Sequence, residues 1–507
     1  MNIKEAKTEI IHTLRAYLKK DEQGHYTYPL VRQRPILLMG PPGIGKTAVM
    51  EQISRECGVG LVAYTITHHT RQSAVGLPKI VSKMYDGIQM DVTEYTMSEI
   101  IASVYECMEK TGKKEGILFI DEINCVSETL APTMLQFLQN KTFGSHKVPE
   151  GWVIVAAGNP PEYNKSVREF DIVTLDRVRR IDIEADADAW MEYAWENHVH
   201  GAILSYLDIK KDNFYIIENT VDGKFFVTAR GWEDLSEILK SYEEMGIEIS
   251  EKLVIQFLQK EETARDFAAY YKLYRGYGID YGIPKILDGS LDDEAYETRL
   301  CMARNASFEE RFTVTGLFLE ALDGRIWEYE KLDRRVQSLY ETLKHFREYL
   351  KSQPDMQCFG QFIEDRKKSL AVQKEAELLT VARAREEEWE LRTLEQFELT
   401  VRKRHITEKE KGFSCVKDMF GQLLSQRKEL MESTSRSLDN GFAFIEKAFG
   451  DGQEMLLFIT KMTGNGRMTR FISSHGCAPY FRYSEKLLYK EQEQKLQAAC
   501  QEALQEL

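Results

Sequence analysis

Ile36-Leu37-Leu38-Met39-Gly40-Pro41-Pro42-Gly43-Ile44-Gly45-Lys46-Thr47 is the stretch on which the fold turns. Its first four residues read as a buried strand, and Gly40–Thr47 matches GxxxxGK[ST]. From Thr47 to Cys57 the spacing is helical. A strand before and a helix after are what such a loop needs to hold phosphate. Glycines let backbone N–H groups converge on an anion, and a helix N-terminus adds partial positive charge. Gly40, Pro41, Pro42, Gly43, Ile44, Gly45 and Ala48 then shape the cradle. Lys46 is placed to reach the β and γ phosphates of ATP, and the Thr47 hydroxyl to ligate Mg²⁺. An unliganded turn accounts for the glycines but not for the lysine.

Working outward, further apolar runs stand at 61–66 (LVAYTI), 117–121 (ILFID) and 152–159 (WVIVAAGN), with a weaker one at 180–184 (RIDIE). Helical stretches separate them, the rhythm of a parallel sheet covered by helices. Runs that are apolar at every position belong inside a sheet buried on both faces. Residues 1–184 therefore read as an α/β, doubly wound domain. The third run ends in Asp121-Glu122, two carboxylates at the C-terminal sheet edge where ligands bind in such folds. Asp121 is expected in the Mg²⁺ shell, and Glu122 as the base that polarises water for attack on the γ phosphate.

Composition narrows the partners. The chain has 507 residues, 81 acids against 67 bases and a net charge of −14. That balance repels polyanions, so nucleic acid is not expected as a partner. No run reaches the ~18 apolar residues of a spanning helix, and residues 1–23 lack the apolar core of a signal peptide. The eight cysteines include no CxxC pair, so isolated thiols in a reducing cytoplasm are expected. His198 and His200, two apart, do not share a helix face and make no zinc site.

Beyond 184 the pattern turns helical. Residues 185–290 read as a small α-helical lid with helices at Thr228–Met245 and Ser250–Leu258, a third around 266–274, and a Gly/Pro-rich connection at 276–290. Residues 291–412 read as a helical linker and coiled-coil-like hairpin. Tyr329, Leu332, Val336, Leu339, Leu343, Phe346 and Leu350 form an a/d seam that Pro354 stops. Between Gly360 and Gly412 there is neither Gly nor Pro, enough for one helix of roughly 75 Å. An antiparallel hairpin packing on itself is favoured over an intermolecular coiled coil. Residues 413–507 read as a small mixed C-terminal domain.

GPPGIGKT, ILFIDEI, the strand-end Asn159 in AAGNP and Leu175-Asp176-Arg177 come in the order of an AAA+ ATPase, which the stretch 10–275 resembles. AVGLPKI at 74–80 and VTARGWEDLS at 227–236 resemble the MoxR group within it. The resemblance implies that Asn159 is sensor 1, orienting the attacking water, and that Arg230 is sensor 2. It implies an arginine finger at Arg177. This chain has DRVRR where the group more often has DRF, so Arg179, Arg180 and the outlying Arg168 stay open as alternatives. Insertions at 79–95 and 141–151 would face a ring pore. The resemblance further implies a homo-oligomeric, hexameric ring that hydrolyses ATP to remodel protein targets, with a von Willebrand A domain partner. A DNA-directed AAA+ motor or restriction-type NTPase and a nucleotide-gated scaffold are the alternatives.

Overall fold

The computed structural model describes residues 1–486, except 69–75, 86–87, 128, 144–145, 164–166, 168–169, 221–222 and 376–380. Five strands, β1 (Ile36–Met39), β2 (Gly60–Thr65), β3 (Gly116–Asp121), β4 (Trp152–Gly158) and β5 (Arg179–Asp182), form one sheet in the order β2-β3-β4-β1-β5. Every pairing is parallel, with Ile36 opposite both Val155 and Arg179, and Ile117 opposite Val153. The apolar runs are buried on both faces because alternate residues serve different cores. Leu37, Leu118, Ile120 and Ile154 pack under helices Glu99–Thr111 and Ala131–Asn140. Ile36, Leu38, Ile117, Phe119 and Val155 pack under Ile3–Tyr17 and Lys46–Cys57.

Compact packing divides the chain into two units. The first comprises Met1–Met191, Lys211–Met245 and Lys252–Ala264, and the second Glu192–Lys210, Gly246–Glu251 and Arg265–Leu507. In the first unit an antiparallel pair, Ile216–Thr220 with Gly223–Val227, leads into helix Ala229–Met245. Trp232, fully buried, donates from its indole N–H to the Phe214 carbonyl at 3.1 Å and fixes the start of that helix. The expected helix at Ser250–Leu258 shrinks to Glu251–Val254, after which i→i+3 bonds turn the chain.

The second unit is helical throughout its described residues. The presumed connection at 276–290 is instead the end of helix Glu261–Tyr281 followed by Ile283–Asp288. Only Gly282, at φ +60°, breaks the run. Helix Phe308–Lys351 carries the a/d seam, and Pro354 lies in the gap before Cys358–Glu375. Leu339, Leu343, Phe346 and Leu350 are covered by Phe359, Ile363, Leu394 and Phe397 of this same chain. The stretch without Gly or Pro is split into Cys358–Glu375 and Val381–Lys403 rather than one rod. The expected boundary at 412/413 falls inside helix Lys409–Phe449. Its far half joins Gln453–Gly464 and Gly466–His475 around Phe318, Phe442, Phe458 and Phe471, so the described part of the tail is helical where mixed structure was expected.

Candidate nucleotide site

Because β4 lies between β1 and β3, the residues that follow these three strands meet at one edge. The loop after β1 ends in Gly45 at φ +90° and opens helix Lys46–Cys57. Lys46 is 8% exposed and donates to Gly40 O, Pro41 O and Asn159 Oδ1, each at 2.8 Å. Burial lowers its ammonium to about 8, opposed by the charges of Asp121 and Glu122 and reinforced by Arg230. At the end of β3, the Thr47 hydroxyl donates to Asp121 Oδ2 at 2.9 Å, and the Glu122 N–H donates to Asp121 Oδ1 at 2.9 Å. Glu122 itself has φ +57°, a left-handed conformation that turns the chain sharply off the strand. The structure thus brings together Lys46, Thr47, Asp121, Glu122 and Asn159.

The loop is held from the other side as well. Tyr215 donates its hydroxyl to Pro42 O at 2.8 Å, and the Arg230 N–H donates to Gly43 O at 3.2 Å. Gly43 has φ +74°, and a Cβ there would meet the Thr228 side chain at 3.0 Å. The carbonyls of Gly40, Pro41, Pro42 and Gly43 therefore each accept a bond. Arg230 begins helix Ala229–Met245 beside the loop, and its charge is felt at Lys46.

The other arginines separate. Arg179 is tied to helix Ile3–Tyr17 through Glu9 (2.6 Å) and Thr13, and Arg180 to Asp182 (2.8 Å). Arg177, exposed, follows the short helix Ile172–Leu175 and bonds Gln139. Beside it Ile172 and Val173 are 85% and 57% exposed. Arg168 lies outside the described residues. Of the insertions, 79–95 is an antiparallel hairpin, Pro78–Tyr85 with Ile88–Tyr95, and 141–151 contains the pair Thr142–Phe143 with His146–Lys147. A 3.0 Å contact between the His146 ring and the Tyr95 carbonyl joins them.

A hydroxyl and a carboxylate oxygen at one point suit a hard, oxygen-preferring cation such as Mg²⁺. Among the described residues no group of three or more His, Cys, Asp or Glu forms a protein-only metal cage. Sequence reasoning missed Tyr215, which lies outside any motif, Thr228, which stands in VTARGWEDLS beside Arg230, and Asn124, whose place directly after Asp121-Glu122-Ile123 was the available signal.

No curated protein matches the chain. Residues 36–177 match the model of a family described as ATPase family associated with various cellular activities (AAA). The matched segment carries four of the five strands and the loops at their ligand edge, and over it the chain is similar to AAA ATPases.

Proposed function

We infer that the protein hydrolyses ATP at this edge and uses the energy to remodel protein targets as a MoxR-type AAA+ machine. The observation that carries the hydrolytic reading is the convergence of Lys46, Asp121, Glu122 and Asn159 from three adjacent strands. Lys46 gives up its carbonyl and Asn159 partners to phosphate oxygens. Thr47 and Asp121 would hold Mg²⁺, which would supply charge neutralisation on the phosphates. Glu122 takes the proton of the attacking water, and the Asn159 amide, released from Lys46, orients that water. Arg177, on an exposed turn with Ile172 and Val173, is read as the finger that enters the site of the next copy in a homo-oligomeric, hexameric ring. Arg230 reads phosphate from the lid.

The MoxR assignment rests on the resemblance at 74–80, part of which lies outside the described residues, and at 227–236. With it come a protein substrate and a von Willebrand A domain partner. Protein-directed work is supported by the net charge of −14 and by the hairpin 78–95, on which Ile80, Met84 and Ile88 are 74%, 66% and 58% exposed. Among the described residues no helix is long and apolar enough to cross a membrane, and the seven described cysteines are free thiols, which supports a cytoplasmic setting.

The test is Glu122→Gln. Phosphate release should fall at least ~10³-fold, because the base is lost while the cradle stays. ATP retention and ATP-dependent assembly should persist, and the trapped form should capture the protein target. Equal turnover in Glu122→Gln and wild type would remove Glu122 from the reaction.

A further inference from the structure

Asn124 is 2% exposed, its amide NH₂ donates to the Asn159 carbonyl at 2.7 Å, and its Oδ1 has no hydrogen-bond partner among the described residues. A buried polar atom left unsatisfied is costly, so its retention calls for a compensating role. The neighbouring backbone is built around this side chain. A Cβ on Gly158 would lie 2.6 Å from Asn124 Oδ1, so any larger residue at the end of β4 would displace it. The turn that carries Asn124 is fixed by two backbone bonds, Ile123 N–H to Ala157 O at 2.9 Å and Cys125 N–H to Glu122 O at 2.8 Å. Asn124 is thus bonded to the backbone of Asn159 while sitting on the turn that sets the left-handed conformation of Glu122.

We propose that Asn124 is a positioning residue for hydrolysis, holding the Asn159 main chain against the Glu122 turn so that the water-orienting amide and the base keep a fixed separation. The role rests on the hydrolytic reading above. Asn124 makes no bond to the Gly40–Thr47 loop, so it acts on turnover and not on nucleotide capture. Misplacement of a catalytic group by about 1 Å can cost on the order of 10²-fold in rate.

The experiment uses the full chain and measures ATP affinity and steady-state phosphate release for Asn124→Leu and Asn124→Ala, each in the wild-type and Asn159→Ala backgrounds. In the wild-type background kcat should fall ~10–100-fold with ATP affinity within about threefold, since the cradle is intact. In the Asn159→Ala background the same change should alter residual turnover less than about twofold, because residues acting through one another are not additive. A merely structural residue would lower turnover equally in both backgrounds, and that result overturns the role. If Asn124→Leu does not fold, Asn124→Ala carries the same comparison. Unaltered kcat in Asn124→Ala, beside normal wild-type turnover, also overturns it. A wild-type protein that retains ATP and releases no phosphate overturns the hydrolytic reading itself, and this role with it.

Discussion

Glycines in the sheet unit and in the helical unit serve different ends. In the first unit Gly43 and Gly45 sit at φ +74° and +90° where the phosphate loop bends, and Gly58 and Gly112 cap helices at φ +69° and +70°. These positions need a backbone that L side chains rarely adopt. In the second unit Gly316, Gly412 and Gly441 lie inside helices. There the missing side chain matters more than the conformation. A Cβ on Gly412 would lie 2.6 Å from Met356 Cγ, and one on Gly316 2.9 Å from Ser205 Oγ. A glycine in the first unit thus marks the end of an element and often the edge of the site. In the second, Gly316 and Gly412 mark helices crossed closely by another group, whereas Gly282 breaks a helix and Gly421 faces open space. Function should follow the same division, with chemistry concentrated on short segments at strand ends.

The sharpest way to break that division is Arg177. It sits on an exposed turn after a four-residue helix and its side chain bonds Gln139, so its loss should leave folding and ATP binding alone. Arg177→Ala should cut turnover of the assembled oligomer by roughly 10³-fold, the scale of a missing arginine finger. Arg179→Ala, which removes an ion pair to Glu9, should lower thermal stability and spare the chemistry. Normal turnover in Arg177→Ala would move the finger to Arg179 or Arg180.

Next in size is the pH dependence of ATP affinity. Burial lowers the Lys46 ammonium to about 8 in the nucleotide-free protein, below its ordinary 10.5. Phosphate binds the charged form, so affinity should be flat below pH 8 and weaken by up to about tenfold per unit above it. Free-protein stability runs the other way. The unfolded chain holds the proton up to its higher pKa, so the cost of burying the charge is full below pH 8 and relieved between 8 and 10.5. Lys141, also lowered to about 8 by burial and bonded to Gln33 Oε1 at 3.0 Å, should contribute to that stability change but not to the affinity change. Titration of ATP binding in Lys141→Met separates the two lysines. A profile for that variant that differs from wild type would tie Lys141 to the site.

Much of the sheet unit was legible because its physics is local. A strand buried on both faces is apolar at every position, so β1, β3 and β4 could be read directly, as could the loop whose glycines must bend. Tyr215 and Asn124 could not be found that way. One reaches Pro42 across 173 residues of sequence and the other reaches Asn159 across 35, and neither partner can be read from the spacing, although Asn124 stands directly after Asp121-Glu122-Ile123. In the helical unit Leu339, Leu343, Phe346 and Leu350 of the heptad seam pack against helices of this chain. The segmentation there failed at 276–290 and at 412, because glycine and proline were read as punctuation. Gly412 stays helical through its N–H bond to Glu408 O, and Met356 leaves no room for a side chain there, a contact that sequence order does not reveal.

Two substitutions in one helix test that explanation at the smallest scale. Gly412 and Gly421 both lie in Lys409–Phe449, so replacing either with alanine gains about the same helix propensity, up to ~1 kcal/mol. Gly421 has nothing within 4 Å of its Cβ position, and Gly421→Ala should raise stability by about 0.5–1 kcal/mol. Gly412→Ala meets Met356, and overpacking of about 1–3 kcal/mol should turn the net effect destabilising. Gly45 supplies the contrast from the sheet unit. Its Cβ position is equally open, yet at φ +90° alanine is strained, and Gly45→Ala should cost about 1–2 kcal/mol in the nucleotide-free protein. Denaturant unfolding of the three variants reads all of this at once. If Gly412→Ala and Gly421→Ala shifted the midpoint alike, close packing would not be why glycine stands at position 412 in the first turn of that helix. If Gly45→Ala matched Gly421→Ala, positive φ would not be what the phosphate loop demands.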